Sequence, residues 1–402
     1  MAALGCCGVA ACVSARPLPA PGPQRPAAAT VIAVLPPENL TGGPVPLSEI
    51  QNLVYQRLLL YDLTLVDEVG LFGLMARHRV RNTGYVDGLF AAAAALELGA
   101  TDILVTSITG YADDAVPKLA LTMRLVSATD PPRVLWVDGM PLTGVDHPGF
   151  LSLGVVNDPR IIRDQAIVHL EESLLLFLAG AKRRAEPCPG GFFFDPRSYS
   201  VAAAFDPTRR YRVAVLPFRN LTPRRDAGYV VALEFVRQLQ ASTLFEVVEP
   251  GVVRQWLLQY RTVLSEGLSL DTARSVFAAG TTDLILTGEV FDYEEWRGGP
   301  QAARVNFSTL LLDRGAPREA SEVVFESTSF AFGDDGVWFF NIGLERTAAG
   351  LVCNLASAAV DRLAQNAPPL LAELSATAPE TVPQSDVHPA KTEHLEPTEG
   401  RP

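Results

Sequence analysis

Acidic residues follow two corresponding predicted strands, and their carboxylates are the groups in this chain best suited to chemistry. Asp113 and Asp114 follow one strand, and Asp292, Glu294 and Glu295 lie at the end of its counterpart. Paired carboxylates can perform general acid–base catalysis or bind a hard cation through oxygen. Solvated acids at strand ends are the commoner explanation of such a pattern. We therefore predict that these carboxylates are not catalytic.

The five histidines show no spacing typical of metal ligands, and no cysteine pair lies near them. The sequence also contains no glycine-rich phosphate loop, nucleophile elbow or HExxH motif. His169 lies on a predicted amphipathic helix, where a solvated or half-buried histidine is far commoner than a metal ligand. We expect a protein that is not an enzyme, with no catalytic residue, no cofactor and no metal.

The amino-terminal segment MAALGCCGVAAC is small and apolar and ends in VAAC. It resembles a bacterial lipobox, in which the cysteine is lipidated and the preceding residues are removed. This interpretation predicts lipidation at Cys12 and a periplasmic protein anchored to the outer membrane. No basic residue precedes the apolar run. A start upstream of Met1, or an apolar terminus without a targeting role, therefore remains an alternative.

Cys188 and Cys353 are the cysteines that remain after the signal segment and the lipidated residue. Cys353 lies in an apolar helical run, which predicts a small core residue. A disulfide between the two is an open alternative, because no spacing rule decides it.

Two segments of the chain are nearly the same, IAVLPPENLTG and VAVLPFRNLTP, and Asn39 and Asn220 within them lie 181 residues apart. The same offset pairs further positions: Val66 with Val247, Thr101 with Thr282, and Asp102 with Asp283. A repeat at a fixed offset indicates two tandem copies of one domain. The Asn-Leu-Thr runs match a glycosylation sequon. A strand-to-helix turn that recurs in each copy explains both runs without sugar.

Each copy has the same order of predicted elements. Short β-branched runs such as VIAVL and RVAVL predict strands that are buried on both faces. Ser48 and Gln51 form a predicted capping box for the helix that follows, and Asp226 is the predicted cap of its counterpart. Pro250 fits the first turn of a helix, and Gly99 fits a helix end. The order βαβαα-βββα predicts an α+β protein of two tandem mixed-sheet domains with helices packed on the sheet.

The predicted organisation runs from a lipoprotein signal segment at residues 1–12 and a proline-rich spacer at 13–29 to a first copy at 30–184, a connector at 185–210, a second copy at 211–366 and a disordered tail at 367–402. The tail is too polar to bury a core. The net charge of −12 has no basic stripe, which argues against nucleic-acid binding.

Three segments of the second copy carry a resemblance to a known family: VAVLPFRNLT, FEVVEPGVVRQWL and AAGTTDLILTGEV. They resemble the TolB amino-terminal and CsgG-type domain of bacterial envelope lipoproteins, a superfamily that includes CsgG, LpoB and PelC. The resemblance covers most of residues 212–365 and, more faintly, 30–184. It implies a fold and no active site, and a tandem pair departs from the single-domain members.

Trp338, Phe339 and Phe340 follow a predicted turn, just before the last helix. Exposed aromatic side chains are good interface anchors, so these three are candidate partner-binding residues. Packing of the helix onto the sheet is the alternative, and we weight it somewhat more. The phenylalanines at 192–194 have the same two interpretations, with packing between the domains favoured.

Together these patterns predict a non-catalytic periplasmic lipoprotein that binds partners in a cell-envelope machine, in secretion, surface-structure assembly or peptidoglycan synthesis. The expected partners are envelope proteins, the chain itself as a homo-oligomer, and the membrane through the lipid anchor, with no nucleic acid. The alternative is a subunit of an outer-membrane export channel of the CsgG type. We disfavour it because such a pore needs hairpins beyond those of the domain sheet.

Overall fold

The computed structural model describes residues 30–364 except 62, 147–154, 182–187, 189–194, 202–204, 207–208, 261–269, 281, 296–301, 315–322 and 336–344. Within these residues the chain forms two mixed β-sheets with helices on their faces, so the predicted α+β class is confirmed. The arrangement is consistent with two tandem domains. In the part of the chain described, no helix is both long enough and apolar enough to cross a membrane.

The first copy contains β1 (Val31–Val34), β2 (Glu38–Asn39), α1 (Leu47–Leu60), β3 (Thr64–Leu65), α2 (Glu68–Arg77), α3 (Gly88–Leu98), β4 (Asp102–Ala112), β5 (Lys118–Ser127), β6 (Val134–Thr143) and α4 (Pro159–Leu178). Its sheet has the strand order β3-β1-β4-β5-β6, with β2 paired to β4. β1 is parallel to both neighbours, whereas β4, β5 and β6 form an antiparallel meander.

The second copy repeats this order after one extra strand, β7 (Ser198–Val201). It contains β8 (Tyr211–Val215), β9 (Arg219–Asn220), α5 (Ala227–Ala241), β10 (Phe245–Val247), α6 (Pro250–Gln259), α7 (Leu270–Ala279), β11 (Leu284–Glu294), β12 (Arg304–Asp313), β13 (Val323–Phe332) and α8 (Ala348–Ala364). Its sheet has the order β10-β8-β11-β12-β13-β7, with β9 paired to β11. The order of elements predicted from sequence is confirmed, apart from the two-residue strands β2 and β9 and the added β7.

Alternation along the central strands builds a separate core on each face of each sheet. In β1, Ile32 and Val34 face α1 and α4, whereas Ala33 packs with α2 and α3. In the second copy α5 and α8 share one core, and α6 and α7 share the other. A strand covered on both faces must be apolar throughout, which is why the short β-branched runs predicted these strands.

The constant offset of 181 residues is wrong beyond the first helix of each copy. Ala33 pairs with Ile103, while its counterpart Ala214 pairs with Ile285, so the offset becomes 182 at the later strands. The extra residue lies between α5 and β10. Val31 of β1 pairs with Thr64 of β3, whereas its counterpart Arg212 of β8 pairs with Glu246 of β10, so the offset is already 182 at β10. Unpaired turn residues can be inserted without disturbing a strand register.

The shifted register changes all three correspondences predicted beyond the first helix; Thr101, for example, matches Asp283 and not Thr282. The Val31 amide donates to Thr101 Oγ1 over 3.0 Å, and the Arg212 amide donates to Asp283 Oδ2 over 2.9 Å. Thr101 and Asp283 therefore accept equivalent hydrogen bonds from corresponding amides of β1 and β8.

The predicted helix ends are confirmed in part. Pro250 begins α6, and Gly99 ends α3 in the left-handed region at φ 67°. The capping box at Ser48 is wrong: α1 begins at Leu47 after Pro46, so Ser48 is already helical. Asp226 is the N-cap position of α5, but its side chain makes no capping hydrogen bond.

The turns at Asn39 and Asn220 have the same local hydrogen bonding. Asn39 Nδ2 donates to Gly43 O over 2.8 Å, and Asn220 Nδ2 donates to Arg224 O over 2.7 Å. Each Asn Oδ1 also accepts from the amide of the threonine two residues on. A side-chain-stabilised turn between strand and helix thus explains both Asn-Leu-Thr runs.

Candidate functional site

The strand-end carboxylates are mostly engaged or solvated. Asp292 and Glu294 both accept from Arg304 Nη2 at 2.9 Å. Asp113 and Asp114 are exposed, and Asp114 Oδ1 accepts from the Val116 amide at 3.2 Å. These contacts agree with the interpretation of these acids as ordinary strand-end residues.

One arrangement was missed from the sequence: Asp114 and Glu295, from different copies, line the same cavity of about 260 Å³, together with Lys118 and Arg224. Glu295 Oε2 accepts from the Ala348 amide at 3.2 Å. Burial raises the pKa of Glu295, while Lys118 acts in the opposite direction. Two acidic and two basic side chains thus line this cavity, which makes it a mixed polar contact between the copies.

Cys188 and Cys353 form a disulfide with a Cα–Cα distance of 5.6 Å. The alternative left open by the sequence is thereby decided, and the prediction that Cys353 is a small core residue is confirmed, because it is buried in α8. Glu234 lies close enough to both sulfurs for the three to resemble a metal site. Sulfurs joined in a disulfide are not thiolates, and thiolates are the form that binds metal.

The two copies meet through α5, which lies against β6 of the first copy. Tyr229, Leu233, Arg237 and Gln240 lie on one side of α5, spaced by three or four residues. Gln240 Nε2 donates to Val134 O over 2.9 Å, and Arg237 pairs with the buried Asp138 at 3.3 Å. We call this region the junction.

A buried ion pair fixes a second part of the junction. Arg124 on β5 forms a two-pronged contact with Glu249, the N-cap residue of α6, with both N–O distances at 3.0 Å. Their side chains are 1% and 0% exposed. Arg124 Nη2 also donates to Gly84 O. Such a pair is sensitive to removal of either partner, because a lone buried charge would remain.

The two copies differ in how their sheets are covered. Every residue of β5 except its last is buried, whereas β12 alternates between partly exposed and buried positions. The second copy covers the outer face of β5, and no described element does the same for β12. We call this partly exposed surface the open face; its residues are Arg304, Asn306, Ser308, Leu310, Thr328 and Phe330.

An apolar cavity of about 250 Å³ lies where the two copies meet. Leu40 and Tyr85 line it from the first copy, and Leu233, Val236 and Val253 line it from the second. The carboxylate of Glu38 also lines it, and Arg254 and Leu258 are exposed residues of its wall. We call this space the seam cavity. No sequence motif marks the seam cavity. The apolar character of α5 on nearly every side was nevertheless a signal that this helix is buried both by its own copy and by the first copy.

Several predicted site residues lie outside the described residues: Cys12, Trp338, Phe339 and Phe340, and the phenylalanines at 192–194. Their roles stay predictions. His169 is half-buried on α4.

No protein-family model matches this chain, and no curated protein does. Among solved structures, the PelC dodecamer from Paraburkholderia phytofirmans is similar at a TM-score of 0.28 and 17% identity, covering 41% of this chain and 95% of that one. Lipoprotein GNA1162 from Neisseria meningitidis is similar at 0.27 and 14%, covering 38% and 99%. The LpoB C-terminal domain from Salmonella enterica is similar at 0.24 and 21%, covering 28% and 82%. Scores and identities this low assign neither a family nor a function.

Proposed function

We propose that this protein is a non-catalytic lipoprotein of the bacterial cell envelope, lipidated at Cys12, that binds another envelope protein through the open face. The observation that carries the proposal is the difference between the two sheets. The outer face of β5 is buried and carries Arg124, which pairs with Glu249 of the second copy, while the equivalent face of β12 is partly exposed. A surface of one fold that is an interface in one copy is a good candidate for an interface in the other.

The disulfide supports the envelope location. Disulfides persist in oxidising compartments such as the bacterial periplasm and are rare in the cytosol. Cys188 belongs to the connector and Cys353 to α8, so the bond closes a long loop between residues separated by 165 positions. A bond of this kind is typical of structural disulfides in exported proteins.

The partner on the open face is a different protein that presents a helix, as α5 does to the first copy. A second copy of this chain would have to present α1, because most of its α5 is already buried. The positions of α1 that correspond to the junction residues of α5 are Ser48, Asn52, Gln56 and Leu59, all exposed and the first three polar. The partner's helix is thus expected to carry apolar residues where α1 has Ser48 and Asn52.

Photo-crosslinking in cells tests this proposal. A photoreactive phenylalanine analogue at Leu310 should crosslink to one envelope protein, and the crosslink should disappear in Ser308→Arg, which blocks the face. The same analogue at Asn52 on α1 is the matched control and should give no such product. Equal crosslinking at both positions, or insensitivity to Ser308→Arg, would contradict the proposal.

The lipid anchor has a separate test. Cells fed radiolabelled palmitate should label the wild type, whereas Cys12→Ser should be unlabelled and should leave the membrane fraction. Labelling that persists in Cys12→Ser would refute lipidation at this residue, and the proposal for the open face would be unaffected.

The absence of turnover is also part of the proposal. Joint substitution of Asp113, Asp114, Glu294 and Glu295 by the corresponding amides should leave envelope function intact. Loss of function with an unchanged thermal midpoint would instead favour an enzyme. Within the described residues nothing adds support to the export-channel alternative.

A further inference from the structure

The seam cavity has the composition of a small-molecule site. Such sites are concave and mostly apolar, with a few polar groups that orient the ligand. Here the walls come from Leu40, Leu233, Val236 and Val253, and the two tyrosines Tyr85 and Tyr229 stand edge to face at 6.3 Å between ring centroids.

Glu38 is the carboxylate in this apolar wall. Ser107 Oγ donates to its Oε2 over 3.0 Å. The nearby cation Arg124 directs its guanidinium at Glu249 and Gly84 O instead. Burial raises the pKa of Glu38, and Asp226 acts in the same direction, while Arg124 and the side-chain hydrogen bonds from Ser107 and Asn82 oppose the rise. The Glu38 carboxylate is therefore partly desolvated, and none of its own contacts named here is a salt bridge.

The Glu38 carboxylate occupies space that is free because residue 84 is a glycine. A Cβ at this position would lie 1.9 Å from Glu38 Oε2. The backbone at Gly84 also accepts from Arg124, so the same residue joins the cavity to the buried ion pair. A side chain at this position would displace Glu38 from the cavity.

We propose that the seam cavity binds a small apolar amine, with its hydrocarbon part against the leucine and valine walls and its ammonium between the Glu38 carboxylate and the tyrosine rings. Aromatic faces and a carboxylate together are a favourable environment for an ammonium group. A volume of about 250 Å³ suits a molecule of small size, such as a short alkylamine or an aromatic amine. The inference is independent of the partner proposed for the open face.

Arg254 offers the competing chemistry. Its guanidinium lies 5.4 Å from the centre of the Tyr85 ring at the exposed part of the wall. If Arg254 held the ligand's head group, the cavity would prefer an apolar acid. The two assignments predict opposite rankings of matched ligands.

The test is a calorimetric titration of the full chain with octylammonium, octanol and octanoate, which share a hydrocarbon tail and differ in head group. We expect octylammonium to bind most tightly and octanoate most weakly. In Glu38→Gln the affinity for octylammonium should fall about tenfold to hundredfold, the worth of a hydrogen bond to a charged group. The affinity for octanol should change little. The matched control is Glu172→Gln, an exposed acid on α4, which should leave all three affinities unchanged.

Ala232→Leu supplies a second variant, because it adds volume to the cavity wall without altering a charge. It should weaken all three ligands together while the circular dichroism spectrum stays native. Tightest binding by octanoate would overturn the proposal in favour of Arg254. Absence of binding by every ligand to the wild type would overturn it altogether, and this comparison needs no variant to fold.

Discussion

Arg124 and Glu249 show how a single pair of residues joins the two copies. Both side chains are buried, and the guanidinium contacts both carboxylate oxygens. Replacement by apolar residues can leave stability unchanged for such a pair, but removal of one partner leaves a charge without water or counterion. We therefore expect the pair to fix the arrangement of the copies more than it adds net stability.

We predict that Arg124→Met lowers the free energy of unfolding by about 3–5 kcal/mol. Urea denaturation followed by circular dichroism measures it. Arg77→Met is the control, because Arg77 and Glu97 form an ion pair whose side chains are 58% and 42% exposed. Its loss should change stability by less than about 1 kcal/mol. Equal effects of the two substitutions would mean that Arg124 and Glu249 are not buried against each other.

Glu345 gives the protein a pH dependence of defined sign. Burial raises its pKa to about 7, against hydrogen bonds from the Thr347 amide and hydroxyl, and Asp146 and Glu295 add repulsion. Between the ordinary glutamate pKa and the raised one, the folded state keeps this proton while the unfolded chain has released it. The contribution of Glu345 to the free energy of unfolding is thus fully present below the ordinary glutamate pKa and is lost as the pH rises through about 7.

We expect the unfolding free energy to fall by up to about 3 kcal/mol between pH 5 and pH 8 on account of this group. Glu345→Gln keeps an acceptor for Thr347 and should remove that part of the slope. Denaturation curves of both proteins at several pH values measure the difference. Parallel profiles for wild type and variant would show that Glu345 is ionised in the fold throughout.

Helices α1 and α5 occupy equivalent places but have different surroundings. The buried residues of α1 are Ile50, Val54 and Leu58, whereas most of α5 is buried. The extra burial of α5 comes from its close packing on α8 and from the first copy, whose Leu40, Val134 and Val137 share its core. One helix needs a single apolar face and the other needs nearly all of its circumference.

Exchange of corresponding residues tests this difference. Leu233 of α5 corresponds to Asn52 of α1. Leu233→Asn should lower the unfolding free energy by about 2–5 kcal/mol, since it removes a buried leucine and places an amide in an apolar contact. Asn52→Leu on the exposed side of α1 should change it by about 0.5 kcal/mol or less. Thermal and urea denaturation of both variants check the pair, and similar losses would place α1 in an interface.

At the scale of the whole molecule, both copies fall within one compact unit. The core that contains α5 and α8 also contains residues of the first copy. The disulfide adds a covalent tie between the connector and α8 within the same unit. Because these links are shared, we expect the copies to unfold together.

Joint substitution of Cys188 and Cys353 by alanine should lower the unfolding free energy by roughly 2–5 kcal/mol, because a long loop is no longer closed in the unfolded chain. The wild type after reduction should show the same midpoint in urea as the double variant. The variant itself should not respond to reductant. A wild-type midpoint unaffected by reductant would show that the bond contributes nothing to stability.

Local patterns in the sequence were enough to predict most elements and their order. Strands such as β1 and β8 and turns such as that at Asn39 depend on residues close in the chain, so the residue types report them directly. The repeat offset was predicted correctly only as far as the first helix. A one-residue insertion in a turn leaves no trace in hydrophobic pattern, and hydrogen bonding between strands was required to find it.

The sequence by itself determined the α+β class, the strand-to-helix turns and the chemistry available in the chain, because these follow from neighbours a few residues apart. Only the tertiary structure decided that Cys188 pairs with Cys353, that Arg124 meets Glu249, and that Glu38 faces an apolar cavity. Each of these contacts joins residues more than a hundred positions apart in the chain or in different copies. Contact at such separation depends on how the two sheets pack, and the local spacing of residues contains no record of it.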